Sequence, residues 1–272
     1  LSQVYFYREM YDDINPFWGY LISFTSKVFL PFVLLISIIR KNFILAILCL
    51  LFSIILFGLS SHKSVVAAPF IIIIFFWFLS SHNPIKLLIY FVLTLFLSAI
   101  GLFLYTDNFF SLIYSSFAVR RIFFEPALLN FFYHDFFKAN EFIYWSNSKI
   151  SFDLLDYPYD LSPAYLIGKN YMGSSLAGAN TGWIGSGFMN FGYQGMLIYA
   201  VIVALILCSL NGFSRSMDKR FVTALSLLPL MQMMTSSDLP VSLLNHGLIM
   251  VFVLLTITSA NINSKKYAIK VE

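Results

Sequence analysis

Apolar residues in this chain fall into blocks of roughly membrane-crossing length, joined by short polar links, until one link runs from residue 106 to 182. At about 20 apolar residues per crossing, the pattern predicts seven transmembrane helices. They are Trp18–Ile39, Phe43–Leu59, Val65–Leu79, Leu87–Tyr105, Gly187–Leu210, Phe221–Thr235 and Val241–Ser259. The third and sixth are short by that count. Pro31, Pro69 and Pro229 are expected to kink their helices, which membrane helices tolerate when neighbours satisfy the freed carbonyls. The fold class expected is therefore an all-α polytopic integral membrane protein with about seven transmembrane helices and one long extramembrane loop. Three segments follow: 1–105 with the first four helices, 106–182 as the loop, and 183–272 with the last three helices and a tail.

Composition narrows the class. Of the 272 residues, 59% are hydrophobic and 11% charged, and mean hydropathy is +0.81, against about 25% charged residues in soluble domains. The aromatic share of 19%, with 31 Phe, fits lipid-facing and interfacial packing. Cys49 and Cys208 both fall inside predicted helices, which argues against a disulfide framework or a thiolate metal site. The chain begins with Leu1 and opens with no signal peptide, as expected of the C-terminal part of a longer membrane protein.

Charge sets an orientation. The short links and tail carry Arg40, Lys41, Lys86, Arg215, Lys219, Arg220, Lys265, Lys266 and Lys270, opposed only by Asp218 and Glu272. The remaining segments are acid-rich. Because cytoplasmic loops collect Lys and Arg, the first set is expected inside and the long loop outside, with this chain's N-terminus outside and its C-terminus inside.

Within the loop, Phe109–Phe137 is apolar enough for an eighth crossing, but Arg120, Arg121 and Glu125 sit at its middle, where charge is costly. The expectation is an interfacial helix broken near Pro126, with its Phe face in the headgroup boundary. Residues 139–182, Tyr- and Gly-rich with Pro158 and Pro163, are expected to fold as an external cap.

A loop of this kind is where chemistry on a membrane-bound substrate would sit. Candidates for phosphate recognition are Arg8, Lys63, Arg120 and Arg121, since Arg grips phosphate bidentately and Lys acts as a point charge. The bland alternatives are headgroup anchors for the arginine pair and a surface ion pair for Arg8 with Glu9. Glu125, His134 and Asp135 are the candidate acid–base groups; His134 and Asp135, adjacent on a helix, diverge by about 100°, so at most one faces a site. His62, beside Lys63, and Asp238 lie at predicted outer helix ends, and His246, about two turns inside the last helix, reads as a hydrogen-bonded structural group. Lys27 and His246 are the ionisable residues within predicted helices.

No P-loop is present, no G-x-G-x-x-G follows a strand, and no Asp-x-Asp or zinc spacing occurs. No metal and no cofactor is expected. A nucleic-acid partner is not expected either. An external site has no nucleotide supply, so the energy for a transfer has to arrive in the substrate. The stretch GANTGWIGSGFMNFGYQGMLIYA, residues 178–200, holds six glycines and reads either as close helix packing or as an unwound entrance whose N–H groups meet an anion. Asn180 of this stretch joins the candidate substrate-binding residues.

That stretch, together with GLSSHKSVVAAPF, RRIFFEPALLNFFYHDFF and GYLISFTSKVFLPFVLL, resembles bacterial O-antigen polymerases of the Wzy type. The resemblance runs along nearly the whole chain. It implies a membrane glycosyltransferase of the bacterial inner membrane, similar in fold to the O-antigen ligases, with its loop in the periplasm. Such an enzyme moves a growing glycan from undecaprenyl pyrophosphate onto the next carrier-linked repeat unit during lipopolysaccharide or related polysaccharide synthesis. The implied partners are the lipid-linked glycan, the bilayer and a chain-length regulator. The alternatives are a ligase acting on lipid A–core and a polysaccharide or lipid transporter.

Overall fold

The computed structural model describes residues 16–60, 62–106, 108–152 and 154–268. Among these, every regular element is helical. Five helices are long and apolar enough to cross a membrane: Phe17–Ile39, Phe43–Ser60, Pro84–Tyr105, Trp183–Ser216 and Leu239–Ala260. The protein is a membrane-embedded, all-α chain. Lys63–Leu79 and Lys219–Thr235 are helices of 17 residues each, so at 1.5 Å per residue they fall short of a hydrocarbon core about 30 Å thick.

Local chemistry accounts for several boundaries. Asn42 Oδ1 accepts from the Leu45 N–H at 3.1 Å and so caps Phe43–Ser60. Pro84 and Pro163 open their helices at the turn where a missing N–H is harmless. Gly173, at φ 72°, ends Pro163–Met172 in the left-handed conformation that closes helices.

Three expected helices are interrupted. Phe17–Ile39 passes through a π-helical turn at Thr25–Phe29. Trp183–Ser216 is broken at Phe191 (φ −145°, ψ 22°) and Gly192 (φ 62°, ψ −144°), so the expected span from Gly187 has its first residues in a separate short helical piece. The last predicted helix divides into Leu239–Leu244 and Leu248–Ala268, with Gly247 at φ 79° between them.

The chain forms two compact units, one of Leu1–Ser80, Ala204–Met231 and Val241–Glu272, the other of Ser81–Val203 and Gln232–Pro240. This partition groups the fourth predicted helix with the loop. In the first unit, Leu30, Leu34, Cys49, Leu56 and Val65 form a buried cluster. There Lys27 Nζ lies 2.7 Å from His246 Nδ1, and Ser23 Oγ donates to the Asn245 carbonyl at 2.9 Å. A Cβ on Gly247 would meet Val28 and Phe24, so glycine lets the first helix pack directly on the interruption. Arg220 donates to the Asp218 carboxylate and to Ser80 Oγ.

In the second unit, Pro84–Tyr105 buries only Ala99; Leu97, Phe103 and Leu104 are exposed, as a lipid-facing surface requires. The cap closes over Leu129, Tyr133, Phe137, Ile143, Ile167, Ala179, Phe188 and Met189, with Phe132, Phe136, Tyr157 and Tyr159 packed around them.

Candidate functional site

The segment expected to be an interfacial helix broken near Pro126 stays helical from Phe109 to Ala139. Asn108 Oδ1 caps its start through the Ser111 N–H at 2.9 Å. The ladder widens to a π-helical stretch at Ser116–Phe124, and α-helix resumes at Glu125. Pro126 explains the exchange: it has no N–H to donate, and Glu125 N–H reaches back five residues to the Arg120 carbonyl. The Phe face is not simply turned to lipid. Phe123 and Phe124 pack on Phe96 at 4.9 and 6.5 Å between ring centroids, and Ser98 Oγ meets Tyr114 Oη at 2.7 Å. Ser115 Oγ reaches the Ala99 carbonyl at 3.4 Å. Contacts advance from Ser115 to Phe124 on one helix but only from Ala99 to Phe96 on the other, so the two cross obliquely.

The π-helical stretch carries the arginine pair. Arg120 is exposed, and its Nε donates to Ser116 Oγ at 3.2 Å. Arg121 is exposed too, its guanidinium 4.6 Å from the Phe117 ring centre. Neither is in an ion pair among the described residues. Glu125 follows one turn after Arg121, with its Oε2 buried and without a hydrogen-bond partner. An orphaned carboxylate oxygen is a standing acceptor.

His134 and Asp135 diverge. His134 Nε2 contacts Tyr193 Oη at 2.9 Å while its ring packs on Phe188. Asp135 Oδ2 accepts from Tyr171 Oη at 2.7 Å, and that phenol is pushed up to about 12 by partial burial and by this bond. Lys63 is an exposed first residue of Lys63–Leu79 in the other unit. Asn180 is exposed just before Trp183–Ser216, and Arg8 lies outside the described residues.

A polar hub built from residues far apart in sequence sits beneath the cap. Tyr199 Oη accepts from Trp145 Nε1 at 2.7 Å and from Asn190 Nδ2 at 3.3 Å, and donates to Asp238 Oδ1 at 3.0 Å. Asn190 Oδ1 accepts the Trp145 N–H at 2.7 Å. That bond holds Trp145 at φ 64°, a costly conformation for a bulky residue. Asp238 Oδ1 also accepts the Leu239 N–H at 2.7 Å. Burial raises the Asp238 carboxyl above its ordinary value; Ser186, whose hydroxyl has no well-formed bond of its own, and Tyr199 offset part of that cost. The sequence signal for this hub was Asn190, a polar residue among apolar neighbours that proves fully buried.

The glycines serve close packing. A Cβ on Gly182 would strike the Met234 carbonyl, and one on Gly195 the Gly187 carbonyl, so the pieces on either side of the Gly192 break touch through backbone. Asn130 completes the seam: its Oδ1 accepts from the Gly185 N–H at 2.8 Å and from Thr181 Oγ1 at 2.9 Å. Among the described residues, no group of three or more His, Cys, Asp or Glu could hold a metal.

No family model matches this chain, and neither a curated protein nor a solved structure shows significant similarity to it.

Proposed function

We propose that this chain polymerises lipid-pyrophosphate-linked oligosaccharide repeat units of O-antigen or a related polysaccharide, at the periplasmic face of the bacterial inner membrane. The observation that carries the reading is the π-helical stretch, where two acid-free arginines precede a glutamate with an orphaned buried oxygen. Such irregular turns recur at functional sites.

In this mechanism Arg120 and Arg121 hold phosphate oxygens of the lipid carrier. The anomeric carbon of the donor glycan breaks its bond to the pyrophosphate, which leaves with the bonding pair and with its growing charge matched by the guanidinium groups. The acceptor sugar hydroxyl attacks the same carbon and forms the new glycosidic bond. Its proton passes to the Glu125 carboxylate. The resemblance in the sequence supplies the substrate class, and the residues supply the roles.

Deleting the full-length gene and resolving lipopolysaccharide on a gel tests the reading. Core bearing a single repeat unit, without a ladder, is the expected result. Bare core with polymer retained on the lipid carrier would make the protein a ligase, and an intact ladder would overturn both.

A further inference from the structure

The cap carries large apolar side chains that its own core leaves outside. Phe152 and Leu154 are each 82% exposed, with Ile150 and Leu155 exposed beside them. The segment that bears them is built, not slack. Ser146 N–H donates to the Ile143 carbonyl, Ser148 to Trp145, Ser151 to Ser148, Phe152 to Lys149 and Leu154 to Ser151, at 2.8–3.3 Å. This run of tight turns keeps residues 143–154 compact. Tyr144, Trp145 and Phe152 all have positive φ, at 49°, 64° and 50°, which is costly for bulky residues. At Phe152 the strained backbone leaves the phenyl ring in the open.

The depth of these turns follows from their anchor. Trp145 Nε1 donates to Tyr199 Oη, and Tyr199 lies in the candidate membrane helix Trp183–Ser216. The apolar run of that helix ends at Arg215. Counting back about 20 residues, the length of one crossing, puts the opposite boundary near Gly195 and Tyr199 about 6 Å inside it. Asp238, bonded to the same phenol, directly precedes another candidate span, Leu239–Ala260. Trp145 is therefore held at a membrane boundary, and the compact turns after it keep Phe152 and Leu154 near that level. Tyr144, also exposed, and Trp145 are the residue types enriched there.

We infer that residues 144–155 form a foot by which the cap rests in the bilayer interface, with Phe152 and Leu154 inserted between lipid headgroups. Burial of their apolar surface in the headgroup–acyl boundary drives the insertion. Charge does not, because Lys149 is outnumbered by Asp153 and Asp156, so the partner is the lipid surface itself and not an anionic headgroup. The cap is then fixed twice, by the Tyr199 hub within the protein and by the foot in lipid. This holds whichever reaction the chain catalyses.

The test uses the whole protein in phosphatidylcholine nanodiscs. Phe152→Cys and, separately, Leu154→Cys are made in a Cys49→Ala, Cys208→Ala background and carry a nitroxide label. Collisions with oxygen, which partitions into lipid, are compared with collisions with a water-soluble nickel chelate. The oxygen-to-nickel ratio at both positions is expected to be severalfold higher than for the same label free in water. A ratio equal to that of the free label overturns the inference. So does shielding from both reagents, which would place a second copy or another protein on the turns. Exchanging the lipid for phosphatidylglycerol should leave the ratio unchanged; a high ratio only there would mean recognition of charge and would overturn it too. Phe152→Trp gives a second reading without labels: bromine-bearing lipid should quench a larger share of its fluorescence than of the wild type's, and an equal share counts against the foot.

Discussion

Tyr199 and Asp238 stand 39 positions apart and are joined by a 3.0 Å hydrogen bond from the phenol to the carboxylate. With Trp145 and Asn190 donating to the same phenol, its one donor and two acceptor sites are all used. This phenol ties the cap loop to the helix beyond the Gly192 break. Tyr199→Phe is expected to leave the Trp145 indole, Asn190 and Asp238 short of partners, at about 1–3 kcal/mol. Thermal unfolding in detergent checks this, and an unchanged midpoint would show that the hub adds nothing.

Asp238 titrates above its ordinary value because it is buried. A carboxyl whose folded value is raised favours folding below the unfolded carboxylate pKa of about 3.9, and that contribution is lost as pH rises through the folded value. The cap is therefore expected to be more stable in mild acid than at neutral pH, with Asp238→Asn flattening the profile. Trp145 fluorescence followed through unfolding at several pH values reads it directly. A wild-type profile as flat as the variant's would refute the assignment.

Two glycines give opposite forecasts. Gly182→Ala drives a methyl into the Met234 carbonyl, whereas Gly212 has nothing within 4 Å. The first should destabilise by about 1–3 kcal/mol, in the range of overpacked sites. The second should be neutral or slightly stabilising, because alanine is the better helix former. Equal unfolding temperatures for the two variants would contradict the packing role of the glycine-rich stretch.

Glu125→Gln keeps the shape of the side chain and removes its basicity. Loss of a general base commonly slows the step by about 10²–10⁴-fold, so long chains should vanish from the gel at normal membrane abundance. A wild-type chain-length distribution would remove Glu125 from the mechanism and leave the arginines untouched.

Lys27, in the π-helical turn of the first candidate span, and His246, in the interruption between Leu239–Leu244 and Leu248–Ala268 rather than inside a helix, are each other's partners. Removing one partner of a buried polar pair costs more than replacing both by apolar groups of similar volume. Lys27→Met alone should lower the unfolding temperature more than Lys27→Met with His246→Leu. A double variant at least as unstable as the single would contradict this.

The helices were legible because their signal is local: runs of hydrocarbon interrupted by Arg40, Lys86 or Arg215 announce themselves in a window of twenty residues. The arginine pair was legible for the same reason, being charge inside an apolar run. The interruptions are legible only as one alternative, an unwound entrance somewhere in residues 178–200, and at no particular residue. Nothing about Phe191 distinguishes it from the other phenylalanines, and Gly192 is one of six glycines in its stretch. The hub was hidden by distance, since Trp145 meets Tyr199 across 54 positions, and a lone Asp at a helix mouth reads as a surface group until burial is known. Glu125 stands out in the sequence only through its arginine neighbours; its orphaned oxygen is a property of packing alone.

The contact between Lys27 and His246 limits how many protons the two side chains can hold together. At 2.7 Å one nitrogen must offer a lone pair to the other. An ammonium facing a neutral imidazole satisfies this. So does a neutral amine facing an imidazole protonated at Nδ1. An ammonium facing an imidazolium does not, because both would point hydrogens into the same gap. The seam between the interrupted first and last helices thus tolerates a single positive charge, and a second proton arriving from either side would have to part it.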